Sequence, residues 1–323
     1  VRVWDLGSGE PVGQPLTGLA GHSGPVWAVA CATVNGRPVA VTGSHDRSVR
    51  VWDLSSGEPV GQPLTGHTEA VQAVACASLD GRPVAVSGSD DHTVRVWDLG
   101  SGELIGQPLT GHRGGVWAVA CATVNGRPVA VSGSDDDTVR VWDLSSGEPI
   151  GQPLTGHWGE VYAVACATLD GRPVALTGSD DGSMRVWDLG SGEPIGQPLT
   201  GHRGGVTAVA CATVNGRPVA VTGSDDHTVR VWDLSSGEPV GQPLTGHTGA
   251  VWAVACATVN GRPVAVTGSS DRTMRVWDLA GGARAIWAAG LEVGAVAGSP
   301  DGALVMGVGA EVMVMDQGVG RSG

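Results

Sequence analysis

Six times along the 323 residues, a histidine, a hydroxyl residue and an aspartate recur at fixed intervals. In one copy they are His67, Ser87 and Asp91, with Trp97 close behind. A histidine can take a proton from a serine while a carboxylate orients the ring, so these residue types are those of a nucleophilic hydrolase. The repetition argues against that chemistry. Catalysis needs one site in one cleft, whereas these residues come as six equivalent sets. Buried polar groups must find partners, and a linked Asp–His–Ser/Thr–Trp chain satisfies each member in turn. Removing one Asp would strand a buried imidazole, at a cost of about 1–3 kcal/mol.

Cys31, Cys76, Cys121, Cys166, Cys211 and Cys256 also recur once per unit, always within AVACA. None has a Cys or His neighbour at metal-ligand spacing. Each reads as a small buried hydrophobe. Six thiols in that role favour a reducing compartment, so a cytoplasmic location is expected. No EF-hand-like spacing is present, and neither metal nor cofactor is expected. The formal charge is −13, all 19 basic residues are Arg, and Lys and Phe are absent. Without basic clusters the chain cannot gather phosphates, which excludes nucleic acid and anionic membranes as expected partners. No apolar run approaches the roughly 18 residues of a spanning helix. The chain begins in mid-motif at Val1 without Met, and reads as truncated or processed. Arg used to the exclusion of Lys points to a GC-rich, bacterial genome.

Short strands must position the polar sets. Within 247–289, HTGAVWAVACAT is an apolar, β-branched run, strand a. Asn260-Gly261 then supplies a hairpin turn, replaced by Asp-Gly at 80–81 and 170–171. RPVAVTGS is strand b, SDRT a tight turn and MRVWDL strand c. Earlier units continue with SSGEPVGQPLTG, a strand d bracketed by prolines such as Pro239 and Pro243. Proline cannot donate to a ladder, so strand d belongs at the outer edge. No segment sustains a 3.6-residue apolar period, and the expected class is all-β. Four strands per 45 residues, repeated, predict radially arranged four-stranded antiparallel sheets that bury their faces by stacking.

Gly-His pairs at 21–22, 66–67, 111–112, 156–157, 201–202 and 246–247 precede Trp-Asp pairs by about thirty residues. This GH…WD pattern resembles the WD40-repeat β-propeller family over essentially the whole chain. The resemblance implies one seven-bladed propeller over 1–316, its last blade closed by N- and C-terminal strands and shared between 1–17 and 291–316, with 317–323 as a tail. VRVWDL at the N-terminus and EVMVMD at the C-terminus both offer a strand c, so one must be displaced. The resemblance also places a structural tetrad on His22/Asp46/Trp52, His67/Asp91/Trp97, His112/Asp136/Trp142, His157/Asp181/Trp187, His202/Asp226/Trp232 and His247/Asp271/Trp277. The implied hydroxyl partners are Thr42, Ser87, Ser132, Thr177, Thr222 and Thr267.

The repeats disagree with one another at three places. After the first valine of strand a stand Trp27, Gln72, Trp117, Tyr162, Thr207 and Trp252. Two residues earlier the positions run through Pro25, Ala70, Gly115, Glu160, Gly205 and Ala250. Just before each tetrad Asp stand His45, Asp90, Asp135, Asp180, Asp225 and Ser270. Turns tolerate drift, yet the equally exposed outer segment GEPVGQPLTG barely changes. In WD40 proteins these positions resemble partner-contacting sites of the top face. The aromatics offer anchors, with Trp158 extending their rim, and the acids add negative potential. The expected function is a non-catalytic platform for a protein or peptide bearing basic and apolar side chains. A small-ligand or enzymatic propeller working through its central channel is the alternative. The resemblance further implies that a kinase or signalling-ATPase domain could lie upstream in the same polypeptide.

Overall fold

Asn35 and Gly36 have φ of 50° and 76°, and Asp80 and Gly81 have 51° and 77°. Two successive left-handed residues make the turn that joins tightly twisted antiparallel strands. Each such hairpin links strand a to strand b, as in Val71–Leu79 and Arg82–Ser89, and strand c follows at Thr93–Asp98. The structure is a computed structural model. It describes residues 2–5, 11–12, 21–259, 261–280, 284–288, 293–298, 304–308 and 311–316, with side chains over 21–258, 261–280 and 295–297. Residues 13–20, where the first spacing lengthens, and the 317–323 tail lie outside the described residues. Among the described residues there is no helix.

The strands form seven sheets. Their inner strands are Val26–Val34, Val71–Leu79, Val116–Val124, Val161–Leu169, Val206–Val214, Val251–Val259 and Val293–Gly298. Each packs beside the inner strand of the next sheet, and Val293–Gly298 packs beside both Val251–Val259 and Val26–Val34. Strand b is apolar on both faces because both are covered. Val84, Ala85 and Val86 have no exposed surface. Ala28, Val39, Val41 and Val49 of the first sheet share one apolar cluster with Val71, Val74, Ala85 and Trp97 of the second.

Four strands per sheet is corrected in two ways. The sheets that begin at Val26, Val116 and Val206 have three strands, their outer segments holding on only through isolated bridges such as Val49↔Leu64 and Trp52↔Pro59. These outer segments carry a proline opposite the strand-c tryptophan, as Pro59 stands opposite Trp52, where the ring fixes φ. Where Leu104 stands in place of Pro59, Pro149, Pro194 and Pro239, the outer strand runs over Leu104–Thr110. The last sheet has five strands and draws on both ends of the chain. Neither c-type strand is displaced. Glu311–Asp316 pairs with Leu304–Val308, and Arg2–Asp5 adds to its other edge in parallel, from Arg2↔Met313 to Asp5↔Asp316. Both run in the c direction, so the second can cover the open edge of the first only as a parallel neighbour.

The closeness of adjacent sheets depends on the glycine of strand b. A Cβ on Gly133 would lie 2.6 Å from Val161 Cγ1 and 2.9 Å from the Val161 carbonyl oxygen. Gly133→Ala is therefore expected to lower the unfolding free energy in urea by about 1–3 kcal/mol, the cost of overpacking. Gly133→Ser, larger still, should cost at least as much; an unchanged urea midpoint for both would refute the packing argument.

Candidate functional site

The polar sets form the same network six times. His67 Nδ1 lies 2.8 Å from Asp91 Oδ2 and its Nε2 lies 2.8 Å from Ser87 Oγ. Trp97 Nε1 donates to the same Ser87 Oγ at 2.8 Å. One proton arrangement satisfies every member. Trp N–H donates to the hydroxyl, the hydroxyl to a neutral imidazole Nε2, and Nδ1–H to an ionised carboxylate. Across the other copies the Nε2 contacts to Thr42, Ser132, Thr177, Thr222 and Thr267 are 2.7–2.8 Å.

The tryptophans of these networks belong to the core and to no surface. Trp142, Trp187, Trp232 and Trp277 are among the largest fully buried side chains of the molecule. Their indole N–H groups donate inward, Trp142 to Ser132 at 2.8 Å, and Trp187, Trp232 and Trp277 to Thr177, Thr222 and Thr267 at 2.9 Å. Each ring fills the space between its own sheet and the one before it: Trp142, Trp187 and Trp277 share clusters with Val84, Val129 and Val219 of the preceding strands b, and Trp232 with Val174. A partner cannot reach these four buried rings.

Protonation follows the same arrangement. Burial holds the imidazoles of His22, His157, His202 and His247 below their ordinary value, although the paired Asp pulls the other way. Burial alone would raise the carboxylates, but hydrogen bonds from Ser48, from Ser23 N–H and from His22 together bring Asp46 down to about 2. Asp181 is likewise brought to about 2, and Asp91, Asp136, Asp226 and Asp271 are also lowered. The hydroxyls that would have to attack a substrate, Ser87 and its five counterparts, have no exposed surface. The geometry is that of a hydrolytic triad, sealed and with its nucleophile already bonded.

One partner escaped the sequence reading: the hydroxyl two residues after each Asp. Thr93 Oγ1 donates to Asp91 Oδ1 at 2.6 Å, and Ser48, Thr138, Ser183, Thr228 and Thr273 do the same. Its unbroken Ser/Thr identity was the available signal. The glycine of each Gly-His pair also has a cause, since a Cβ on Gly66 would lie 2.9 Å from Arg95 Nη1.

The variable positions lie around these networks. Trp27, Gln72, Trp117, Tyr162, Thr207 and Trp252, one from each repeat, line a single cavity of about 340 Å³ together with Asp225. Trp117 meets Tyr162 edge-on, with ring centroids 5.9 Å apart. Apart from Asp225, the other variable sets are not in the lining. They sit on the neighbouring turns, joined by backbone bonds from His45 to Pro25, Asp90 to Ala70, Asp135 to Gly115, Asp180 to Glu160, Asp225 to Gly205 and Ser270 to Ala250. Gln72 Nε2 donates to Asp90 at 2.9 Å, and the Trp117 indole N–H donates to Asp135. Burial, then the bond to Glu160, pushes the Tyr162 phenol well up. Trp158 is 89% exposed.

A family model for the WD domain, G-beta repeat, matches residues 13–53, 57–98, 102–143, 147–188, 192–233 and 237–278. The chain belongs to the WD40 repeat family. No individual curated protein matches it. WD40 repeats generally serve as protein–protein interaction scaffolds, and the family is typically non-enzymatic. In this WD40 protein, no three His, Cys, Asp or Glu among the described residues are grouped to hold a metal ion. Cys76, Cys121, Cys166, Cys211 and Cys256 are free thiols. Burial pushes those of Cys211 and Cys256 up to about 12, away from nucleophilic use. No helix among the described residues is long and apolar enough to cross a membrane.

Two outcomes test the network. Asp136→Ala is expected to lower stability to urea by about 1–3 kcal/mol by leaving the His112 ring half-satisfied, while Trp158→Ala, at the surface, should move it by less than about 0.5 kcal/mol. Equal effects would refute the role given to Asp136. The second test is pH. Unfolding returns histidine to its ordinary 6.5 and aspartate to 3.8, so below those values the unfolded chain binds more protons than the folded one. The contribution of these groups is then complete above pH 6.5, falls first as the histidines of the unfolded chain protonate, and falls again from pH 3.8 towards 2. The thiols of Cys211 and Cys256, raised from 9.0, act in the opposite sense, so stability also falls as pH rises through 9. A Tm series should be level between about pH 7 and 8 and decline on either side; a maximum near pH 5 would contradict the neutral-imidazole assignment.

Proposed function

We propose that the seven sheets are the blades of one closed propeller over 1–316, and that it is a non-catalytic platform receiving a protein or peptide at the cavity ringed by Trp27, Trp117, Tyr162 and Trp252. The closure is supported by Val293–Gly298, which packs beside the inner strands of both the sixth and the first sheets. The observation that carries the function is the convergence of all six variable strand-a positions on one cavity. Residues that differ between otherwise repeated units, and that meet in one place, mark where the molecule is not merely repeating itself. Three indoles and a phenol supply the large, rigid apolar area typical of binding hot spots. Asp90, Asp135, Asp180, Asp225 and Glu160 on the adjoining turns favour a partner with basic as well as apolar side chains.

The sealed hydroxyls argue for scaffolding over hydrolysis. The five free thiols accord with a reducing, cytoplasmic setting. A kinase or signalling-ATPase domain in the same polypeptide would give such a platform something to position.

Replacing Trp27, Trp117 and Trp252 together with Ala tests the site. Recovery of bound protein from native lysate is expected to fall at least about tenfold, since each anchor of this kind is worth on the order of 1–2 kcal/mol or more. Undiminished recovery, with the variant's Tm unchanged, would overturn the assignment.

A further inference from the structure

The lining of the cavity is chemically lopsided, and the asymmetry says more about the partner than its aromatic character does. Asp90 and Asp135 are already engaged, one by the Gln72 amide and the other by the Trp117 indole. The next matching pair is not. Thr207 stands where those repeats have Gln72 and Trp117, and its hydroxyl donates instead to the Val251 carbonyl at 2.5 Å. Among the described residues, no side chain donates a hydrogen bond to the carboxylate of Asp180 or Asp225. Both are exposed, and both hang over Gly205. A Cβ built on that glycine would lie 2.9 Å from Asp180 Oδ1 and 3.5 Å from Asp225 Oδ2. Two carboxylates from successive repeats thus flank one point beside the cavity, in a gap opened by glycine and threonine.

A second observation comes from another repeat. Trp27 lines the same cavity, and among the described residues its buried indole nitrogen has no acceptor. In the third repeat Asp135 satisfies the equivalent N–H, but the first repeat has His45 at that position. A buried donor left unmatched is costly, so it points to an acceptor supplied from outside. The cavity therefore lacks a cation at the fifth repeat and an acceptor at the first.

We propose that the cavity takes one arginine-bearing peptide segment, its guanidinium held between Asp180 and Asp225 over Gly205 and a backbone carbonyl of the same segment accepting from Trp27 Nε1. This rests on the assignment of the aromatic cavity as the partner site. Arginine is favoured over lysine because its planar fork presents donors in two directions to two carboxylates, whereas an ammonium is a single strongly hydrated point. The stem of the side chain would lie on the aromatic lining.

The probe is the blocked pentapeptide Ac-Ala-Ala-Arg-Ala-Ala-NH2, titrated into the whole chain and followed by NMR or calorimetry. Its counterpart carries citrulline, which has nearly the same shape and no charge. The arginine peptide is expected to bind at least about tenfold more tightly than the citrulline and lysine peptides. The double variant Asp180→Asn/Asp225→Asn should abolish that preference. The equally charged Glu103→Gln/Glu148→Gln, on exposed outer segments, should retain it, which separates the notch from general attraction to an acidic protein. Trp27→Phe should weaken binding of all three peptides about threefold or more. Equal binding of arginine and citrulline peptides, or equal losses in the two double variants, would overturn the proposal. If the triple Trp→Ala variant loses the arginine peptide while Asp180→Asn/Asp225→Asn keeps it, the notch falls and the aromatic cavity stands. If neither variant affects it, both fall.

Discussion

An imidazole can sit inside these sheets only if both of its nitrogens are matched, and that demand organises everything around it. Nδ1 reaches the turn between strands b and c through the tetrad Asp, and Nε2 reaches the hydroxyl in the middle of strand b. The same Asp accepts from the backbone N–H that follows the histidine, as Thr68 does to Asp91 at 3.0 Å. One carboxylate therefore ties the turn entering each sheet to the turn that follows strand b. Trp97, buried between two sheets, closes the chain at its far end, as Trp142, Trp187, Trp232 and Trp277 do in the repeats that follow. Loss of any member leaves a buried polar group unmatched, which costs more than the bond itself contributes. The turns that carry the variable residues are consequently anchored to one another.

Anchoring the turns leaves the sheets to be held by contact, and here side-chain size decides. The strand-b glycines let the next sheet's valine approach to a distance no β-carbon would permit. The cysteines serve a related end on the inner strands: Cys76 packs against the cluster between the first and second sheets. Towards the outside the constraint relaxes. In three sheets the outer segment meets strand c only at isolated bridges, and its prolines limit pairing with other molecules.

Strands a, b and c, their hairpins and the polar network were legible because each is dictated locally: Asn-Gly sets a turn, alternation sets a face, and a buried His demands partners. The outer segment was less legible. Its prolines correctly mark an edge, but how far an edge segment pairs differs between repeats, from Leu104–Thr110 to the isolated bridge at Pro149. The parallel junction of Arg2–Asp5 with Glu311–Asp316 could not be read, because both sequences ask for the same slot and only the assembled sheet shows that a further edge exists. A finer alternation also passed unread. Ser55, Ser145 and Ser235 alternate with Gly100 and Gly190, and Asn35, Asn125 and Asn215 with Asp80 and Asp170. Over the first five repeats the sheets of three and four strands alternate in the same order; Asn260 and Ala280 break the sequence pattern in the sixth.

The cavity-lining positions were picked out by their disagreement, but what each does there depends on a neighbour 18 residues on. Gln72 and Trp117 are donors facing Asp90 and Asp135. Trp27 keeps the donor and loses the acid to His45, while Thr207 keeps the acid, Asp225, and loses the long donor. Neither mismatch is visible at one position alone; each appears only when strand a and the b–c turn are read as a pair brought together by the sheet. Repetition makes such mismatches informative. In a chain whose scaffold is built six times from nearly the same residues, a donor without its acceptor and an acid without its donor cannot be required by the scaffold, since the matched repeats fold equally well. They are properties of the cavity, and the proposed partner would complete them.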